Sequence, residues 1–107
     1  MLKIKDNVDS KELEKFGFKP YYDCETGKIA YWYKTIYDPN FTRKKYNEYT
    51  IKITDEYYFI EGNWLKKRKE VKRAIKLEKA EEGNFYQIFF DTLYDLIQAG
   101  LVEKIIE

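Results

Sequence analysis

Histidine is absent from the 107-residue chain. This absence removes the commonest general base of enzymes and the commonest protein ligand of metal ions. Ser10 is the sole serine, and it falls at the start of a predicted helix. The single cysteine, Cys24, has no histidine to activate it and no second thiol with which to form an intramolecular disulfide. The sequence therefore predicts neither nucleophilic catalysis nor a zinc or iron–sulfur centre.

Glycine and long apolar runs are also scarce. The five glycines are scattered beside predicted turns and element ends, so we expect no glycine-rich phosphate loop. No segment approaches about 20 consecutive apolar residues, and residues 1–6 are charged, so we expect neither a membrane span nor a signal peptide. Together with the single cysteine, this composition predicts a reducing, cytoplasmic setting, in a cell or in an infected host.

Aromatic and charged side chains are abundant instead. Aromatic residues make up 19% of the chain, with eleven tyrosines among them, and 36% of the residues are charged. The length and composition are typical of one globular domain. The formal net charge of +1 conceals an uneven distribution, because residues 66–79 carry +6 and residues 80–107 carry −5.

A C-terminal aromatic helix is predicted over residues 85–100. Its apolar side chains recur at steps of three and four, which places Tyr86, Phe89, Phe90, Leu93 and Ile97 on one broad face, with Phe85 and Leu96 beside them. Asn84 is a suitable N-cap, and Gly100 a suitable C-terminal stop. Because three phenylalanines need burial, we expect this helix to form half of the core against a sheet.

The N-terminal part predicts a short strand and a short helix. Residues 2–5 alternate apolar and basic side chains, and Asp9 has the cap position of a helix over Ser10–Phe16. Gly17 is the expected stop of that helix, with Phe18 folding back on the last turn. Residues 101–106 predict a final strand or docked tail near the first strand.

The middle of the chain predicts an antiparallel meander of about four strands. Two aromatic runs flank a turn at Gly27, which is a hairpin signal. Alternation at Tyr49, Ile51 and Ile53 indicates a strand with one buried face, and residues 57–61 are expected to return beside it. The fold expected from these elements is a single α+β domain, residues 1–107. It consists of a β meander packed on the C-terminal aromatic helix, with a short N-terminal helix and a basic helix.

The basic helix is predicted over residues 64–82. Trp64, Val71, Ala74 and Ile75 recur at helical spacing, although residues 74–77 could instead be a strand. A helix would align several basic side chains that could follow phosphates or bind an acidic protein surface: Lys66, Lys67, Lys69, Lys72, Arg73 and Lys76. The alternative is a solvated face, or a face neutralised by the acidic C-terminal part.

Aromatic strands and a basic loop form a second candidate partner-binding set. It comprises Tyr31 and Tyr33 together with Arg43, Lys44 and Lys45. Tyrosine is enriched at binding hot spots, and its ring can stack on an unpaired base, but a small sheet can also use such rings to build its core.

Carboxylates are the remaining candidates for chemistry. Asp91 and Asp95 stand four residues apart on the predicted C-terminal helix, where they could share a magnesium ion or form a solvated face. The acids and the lysine that a nuclease site needs occur near predicted strands, as Glu48, Lys52, Asp55 and Glu61. Any charged meander supplies such a set, so we expect no catalysis, no metal and no cofactor.

Both ends of the chain carry a distinctive motif. The chain reads IKDNVD at residues 4–9, KELEKFGF at residues 11–18 and LYDLIQAGLVEKI at residues 93–105. These segments, 27 of the 107 residues, resemble the beginning and ending of small uncharacterised proteins from phages and prophages of Gram-positive bacteria. The resemblance implies a viral or mobile-element origin and brings no catalytic residues. Accessory proteins of this class often bind and block a host enzyme, including CRISPR nucleases and other defence systems.

Three functions are compatible with these expectations. The first is a non-enzymatic, phage-type accessory protein that binds and inhibits a host protein or nucleoprotein complex in the host cytoplasm, in the manner of an anti-CRISPR inhibitor. The second is nucleic-acid binding through the basic helix. The third is a small structural protein that self-associates through exposed aromatics. No membrane partner is expected, because the apolar stripe of the basic helix is thin.

Overall fold

The computed structural model describes residues 2–37, 48–79 and 85–106, and within these ranges the predicted α+β fold is confirmed. The elements are β1 (Leu2–Ile4), a 3₁₀ helix (Ser10–Phe16), β2 (Lys19–Tyr22), β3 (Ile29–Tyr37), β4 (Glu48–Thr54), β5 (Tyr58–Glu61), β6 (Trp64–Lys67), β7 (Ala74–Lys79), α1 (Phe85–Gln98) and β8 (Val102–Lys104). The side chains of residues 37, 48, 79 and 85–89 lie outside the description.

A six-stranded antiparallel sheet, in the order β2-β3-β4-β7-β1-β8, forms the centre of the molecule. Trp32 lies opposite Ile53, and Ile53 lies opposite Ile75, so these side chains share one face of the sheet. Leu93 and Leu96 of α1 pack against that face and form the main core with them. The predicted position of the last segment near the first strand is confirmed, because this segment forms β8, which runs antiparallel to β1.

The local signals of the N-terminal helix are confirmed. The Asp9 carboxylate accepts a hydrogen bond from the backbone N–H of Lys11, and Gly17 adopts a left-handed conformation with φ of 87°. The backbone N–H of Phe18 then donates to the Leu13 carbonyl at 3.2 Å, and both side chains are buried in the core. The short segment therefore forms a 3₁₀ helix that covers the core through Leu13.

The basic helix predicted over residues 64–82 is wrong. Residues Trp64–Lys67 form β6, and residues Ala74–Lys79 form β7, so the alternative of a strand at residues 74–77 is correct. In β7, Ile75 and Leu77 lie on the core face while Lys76 and Glu78 lie on the other, which is a two-residue period. Lysine is so frequent in this segment that lysines fall at helical spacing as well as at strand spacing. The spacing of the lysines therefore does not distinguish a helix from a strand.

The returning strand was also misassigned. Residues Tyr58–Glu61 pair with β6 in a separate two-stranded hairpin, and β7 takes the place beside β4. The hairpin turns at Gly62–Asn63, where Gly62 has φ of 64°, as the first central residue of a type II′ turn requires. Its base is held by a second, smaller core in which Phe59 packs beside Tyr57 and Ala74.

The C-terminal helix forms, but only part of its predicted apolar face is buried. Leu93 and Leu96 are buried, whereas Phe90 is 60% exposed and Ile97 is 48% exposed. The expectation that all three phenylalanines are buried is therefore wrong for Phe90. The predicted N-cap Asn84 lies outside the described residues.

Candidate functional site

One face of the six-stranded sheet is not covered by α1. Side chains alternate along each strand, so the partners of the core residues point to this opposite face. Tyr21 lies opposite Tyr31, Tyr33 lies opposite Lys52, and Lys52 lies opposite Lys76. We call the set Tyr21, Tyr31, Tyr33, Lys52 and Lys76 the tyrosine–lysine face.

The three tyrosines form an ordered array. The rings of Tyr21 and Tyr31 are stacked, with centroids 4.8 Å apart and planes 6° from parallel. Tyr33 meets Tyr31 edge to face, with centroids 6.3 Å apart. Such pairs are favourable between neighbouring strands, and they hold the rings in defined orientations. The array is accessible from outside, because 46% of Tyr21 is exposed.

Lys52 lies over this array as a cation. Its Nζ is 4.5 Å from the Tyr31 ring centroid and donates to the Glu78 carboxylate at 3.0 Å. The hydrogen bond to Glu78 raises the pKa of Lys52, and the proximity of Tyr31 acts in the same direction. Lys52 therefore remains an ammonium group throughout the physiological range.

The β5–β6 hairpin bounds one end of the tyrosine–lysine face. The Tyr58 ring centroid lies 5.1 Å from the Nζ of Lys76 and 5.9 Å from the Nζ of Lys67. A groove of about 400 Å³ lies here, and its lining includes three lysines and three carboxylates: Lys52, Lys67, Lys76, Asp55, Glu56 and Glu78. A second groove of about 380 Å³ continues past Tyr31 to Tyr21 and Tyr33. The arrangement can accept a chain that offers aromatic rings together with charged or polar groups.

The basic residues singled out in the sequence do not form one row. Lys67 and Lys76 contribute to the groove, whereas Lys66 lies on the hairpin and pairs with Glu61 at 2.7 Å. Lys69 and Lys72 are exposed in the loop between β6 and β7. Arg43, Lys44 and Lys45 lie outside the described residues. The six residues of the predicted basic helix are thus divided among a groove, a hairpin and a loop.

Arg73 is a structural residue rather than a surface cation. Its guanidinium donates to the backbone carbonyls of Lys5 and Val8 and approaches the Ser10 hydroxyl at 3.5 Å. These bonds attach the loop before β7 to the N-terminal segment. The residue is therefore not available to follow phosphates.

The carboxylates do not assemble into a metal centre in the described part of the chain. No group of three or more acidic or thiol side chains comes together there. Asp91 and Asp95 are exposed on α1. The acid and lysine set considered for a nuclease is divided, because Lys52 pairs with Glu78 while Glu61 pairs with Lys66.

The sequence pattern did not bring several residues of this site together. Tyr21, Glu78 and Tyr58 join it only through strand pairing and the fold of the hairpin. One local signal was available, since Gly-Asn between two aromatic or apolar runs is a hairpin dipeptide. The sequence Ile60-Glu61-Gly62-Asn63-Trp64-Leu65 contains it.

Comparisons with protein-family models, with curated proteins and with solved structures find no match. The helices in the described ranges include none that is long and apolar enough to cross a membrane.

Proposed function

We propose that this protein is a non-enzymatic accessory protein of the phage type that binds a host macromolecule through the tyrosine–lysine face and blocks it. The observation that carries the proposal is the ordered array of Tyr21, Tyr31 and Tyr33 beneath Lys52 on the open face of the sheet. The resemblance of both chain ends to phage proteins supports the biological setting.

The array is suited to recognition because it is already organised. Stacked and edge-packed rings lose little conformational freedom when a partner covers them, so more of the contact energy remains as affinity. Tyrosine offers an apolar ring and a hydroxyl donor in the same contact. The core is already supplied by side chains such as Trp32 and Ile53, which are buried on the other face.

The test is capture of a host component by the purified protein, compared between two variants. Tyr31→Ser with Tyr33→Ser should abolish capture, because it removes two rings of the array. Tyr22→Ser is the matched control, since Tyr22 is 56% exposed on the same strand as Tyr21 but takes no part in the stacking. The captured component should also lose its activity at a one-to-one ratio of added protein.

Two results would overturn the proposal. One is capture that is identical for the wild type and the Tyr31/Tyr33 double variant when both are folded. The other is turnover of a substrate by the purified protein that disappears when Asp91 or Asp95 is replaced without loss of fold.

A second candidate function is binding of single-stranded nucleic acid. The observation that favours it is a groove lined by Tyr31, which stacks on Tyr21, together with Lys67 and Lys76, because such proteins combine base stacking with lysines that follow the backbone. Arg73 is excluded from this set by its bonds to the N-terminal segment.

Salt dependence separates this candidate from protein binding. Affinity for single-stranded DNA or RNA should fall with salt, and the slope should decrease by about 0.7 for each phosphate contact that Lys67→Ala or Lys76→Ala removes. Lys11→Ala is the control, since Lys11 is exposed on the 3₁₀ helix, whose Leu13 packs on the core face of the sheet. Absence of binding at low salt would eliminate nucleic acid as the partner.

A further inference from the structure

The β5–β6 hairpin carries an apolar groove with a basic rim. The groove has a volume of about 910 Å³, and Ile60 and Leu65, two of its lining residues, are 77% and 69% exposed. Lys66, Lys67, Arg68 and Glu70 also line it, and of the three basic side chains Lys66 pairs with Glu61 and Arg68 with Glu70, each at 2.7 Å. We call this surface the hairpin groove. An exposed apolar patch with a charged border is typical of a protein-binding surface.

Helix α1 carries a surface of the complementary kind. Phe90, Tyr94 and Ile97 are spaced four and three residues apart, so they form one stripe, and each is about half exposed or more. Asp91 and Asp95 are exposed on the same helix, and residues 85–98 contain no lysine or arginine. We call the three apolar side chains the helix stripe. Anchors at this spacing are those with which an amphipathic helix enters an apolar groove.

The two surfaces of one copy cannot meet each other. Leu93 and Leu96 attach α1 to the face of the sheet that carries Ile75. Phe59 and Tyr57 attach the hairpin beside Ala74, whose side chain points to the opposite face. The sheet therefore stands between the hairpin groove and the helix stripe, and each remains open to another molecule.

We propose that the hairpin groove of one copy receives the helix stripe of a second copy, so that the protein associates head to tail. The occupant is assigned by charge as well as by shape, because three basic side chains and one acidic side chain line the groove, whereas α1 carries two aspartates and no basic residue. A contact between unlike surfaces propagates into a ring or a chain of copies.

Sedimentation velocity of the full chain over a wide concentration range tests the association. The wild type should form species larger than a dimer as the concentration rises, and these should dissociate as salt is added, because unlike charges face each other. Leu65→Ser in the groove and Tyr94→Ser on the stripe should each leave a monomer. Tyr22→Ser, an exposed aromatic outside both surfaces, should behave as the wild type.

Mixing the two defective variants gives the sharper result. Leu65→Ser retains the helix stripe and Tyr94→Ser retains the hairpin groove, so one copy of each can bind the other. Their remaining surfaces are defective, so an equimolar mixture should form a dimer and nothing larger. Ile60→Ser and Ile97→Ser provide a second pair with the same expectation, and circular dichroism identifies any variant that does not fold.

Three outcomes would overturn the proposal. A wild type that stays monomeric at all concentrations excludes the contact. A mixture of folded variants that does not associate shows that the two surfaces do not bind each other. Loss of association with Leu65→Ser alone, while Tyr94→Ser behaves as the wild type, would indicate a symmetric hairpin contact or a different partner surface. The Tyr31/Tyr33 double variant should associate normally, which separates this inference from the function proposed above.

Discussion

Arg73 shows how one side chain can connect distant parts of this chain. It is the only non-glycine residue in the described ranges with positive φ, at 56°, and its backbone N–H donates to the Asp55 carboxylate at 3.0 Å. Its carbonyl accepts from the Ile4 N–H at 3.0 Å, while its guanidinium donates to Lys5 and Val8. The residue thus joins the turn after β4, the start of β7 and the N-terminal segment.

Replacing Arg73 should therefore affect stability more than surface charge. Arg73→Ala leaves two carbonyls without their charged donor, and we expect the free energy of unfolding to fall by about 1.5–3 kcal/mol. Lys72→Ala, at the exposed neighbour, should change it by less than about 0.5 kcal/mol. Urea denaturation measures both, and equal values would contradict the structural role of Arg73.

The ion pair of Lys3 and Asp6 gives a second prediction at this scale. The Lys3 ammonium donates to the Asp6 carboxylate at 2.7 Å, and this hydrogen bond lowers the pKa of Asp6. Because the pKa of Asp6 is lower in the folded state than in the unfolded state, the ion pair stabilises the fold at pH values above the ordinary titration range of an aspartate. That contribution is lost as the pH falls through the lowered pKa.

A carboxyl ¹³C titration by NMR checks the pair directly. Asp6 should titrate at a lower pH in the wild type than in Lys3→Gln. Lys5→Gln provides the comparison, since Lys5 is adjacent to Asp6 in sequence, whereas the hydrogen bond that lowers the pKa of Asp6 comes from Lys3. If Lys3→Gln leaves the midpoint of Asp6 unchanged, the hydrogen bond does not persist in solution.

Among the elements, α1 illustrates how tertiary packing selects a helix face. The periodicity of the sequence allows either a stripe through Phe90 and Ile97 or one through Leu93 and Leu96, because apolar residues occupy both. The sheet buries the second stripe and leaves the first open. The helix was predictable from its pattern, but the direction in which it faces was not.

Truncation of neighbouring residues distinguishes the two faces. Leu96 is fully buried, so Leu96→Ala should lower the free energy of unfolding by about 2–5 kcal/mol through lost burial and a residual cavity. Ile97→Ala should cost much less, because Ile97 is already 48% exposed. Chemical denaturation of the two variants side by side is sufficient. A larger loss for Ile97 would mean that α1 is rotated relative to this arrangement.

At the scale of the whole molecule, the fold divides into a central sheet and an inserted hairpin. Strand β4 pairs on both sides, with β3 and with β7, and its inward side chains lie in the main core. The β5–β6 hairpin pairs only within itself in the described sheets and is anchored through Tyr57 and Phe59. A segment with fewer paired strands and less buried surface opens at a lower free energy, so the hairpin should be locally less stable than β4.

Hydrogen exchange should reveal this division. The backbone amides of β4 should exchange only through global unfolding, with a strong dependence on denaturant. Hydrogen-bonded amides of the hairpin should exchange faster, through local opening with a weak dependence on denaturant. NMR-detected exchange across a urea series measures both, and hairpin amides as slow as those of β4 would place the hairpin in the main cooperative unit.

Local chemistry was enough to predict much of this protein. The cap at Asp9, the stop at Gly17 and the alternation of Tyr49, Ile51 and Ile53 each act over a few residues, and the structure confirms them. The hairpin around Gly27 and the α+β class belong to the same category. Such signals are readable because the interacting groups are close in the chain.

The tertiary structure alone decided which strand lies beside β4, which face of α1 is buried and where the basic side chains go. Residues 58–61 and 74–79 are both capable strands, and the choice between them depends on burying Ile75 against Trp32 and Ile53. The predicted basic helix would have carried both Lys66 and Lys76. In the structure, Lys66 lies on the hairpin and Lys76 lies on the central sheet. Contacts between residues distant in sequence carry no local signal, so the groove beside Tyr31 could not be found until the chain was folded.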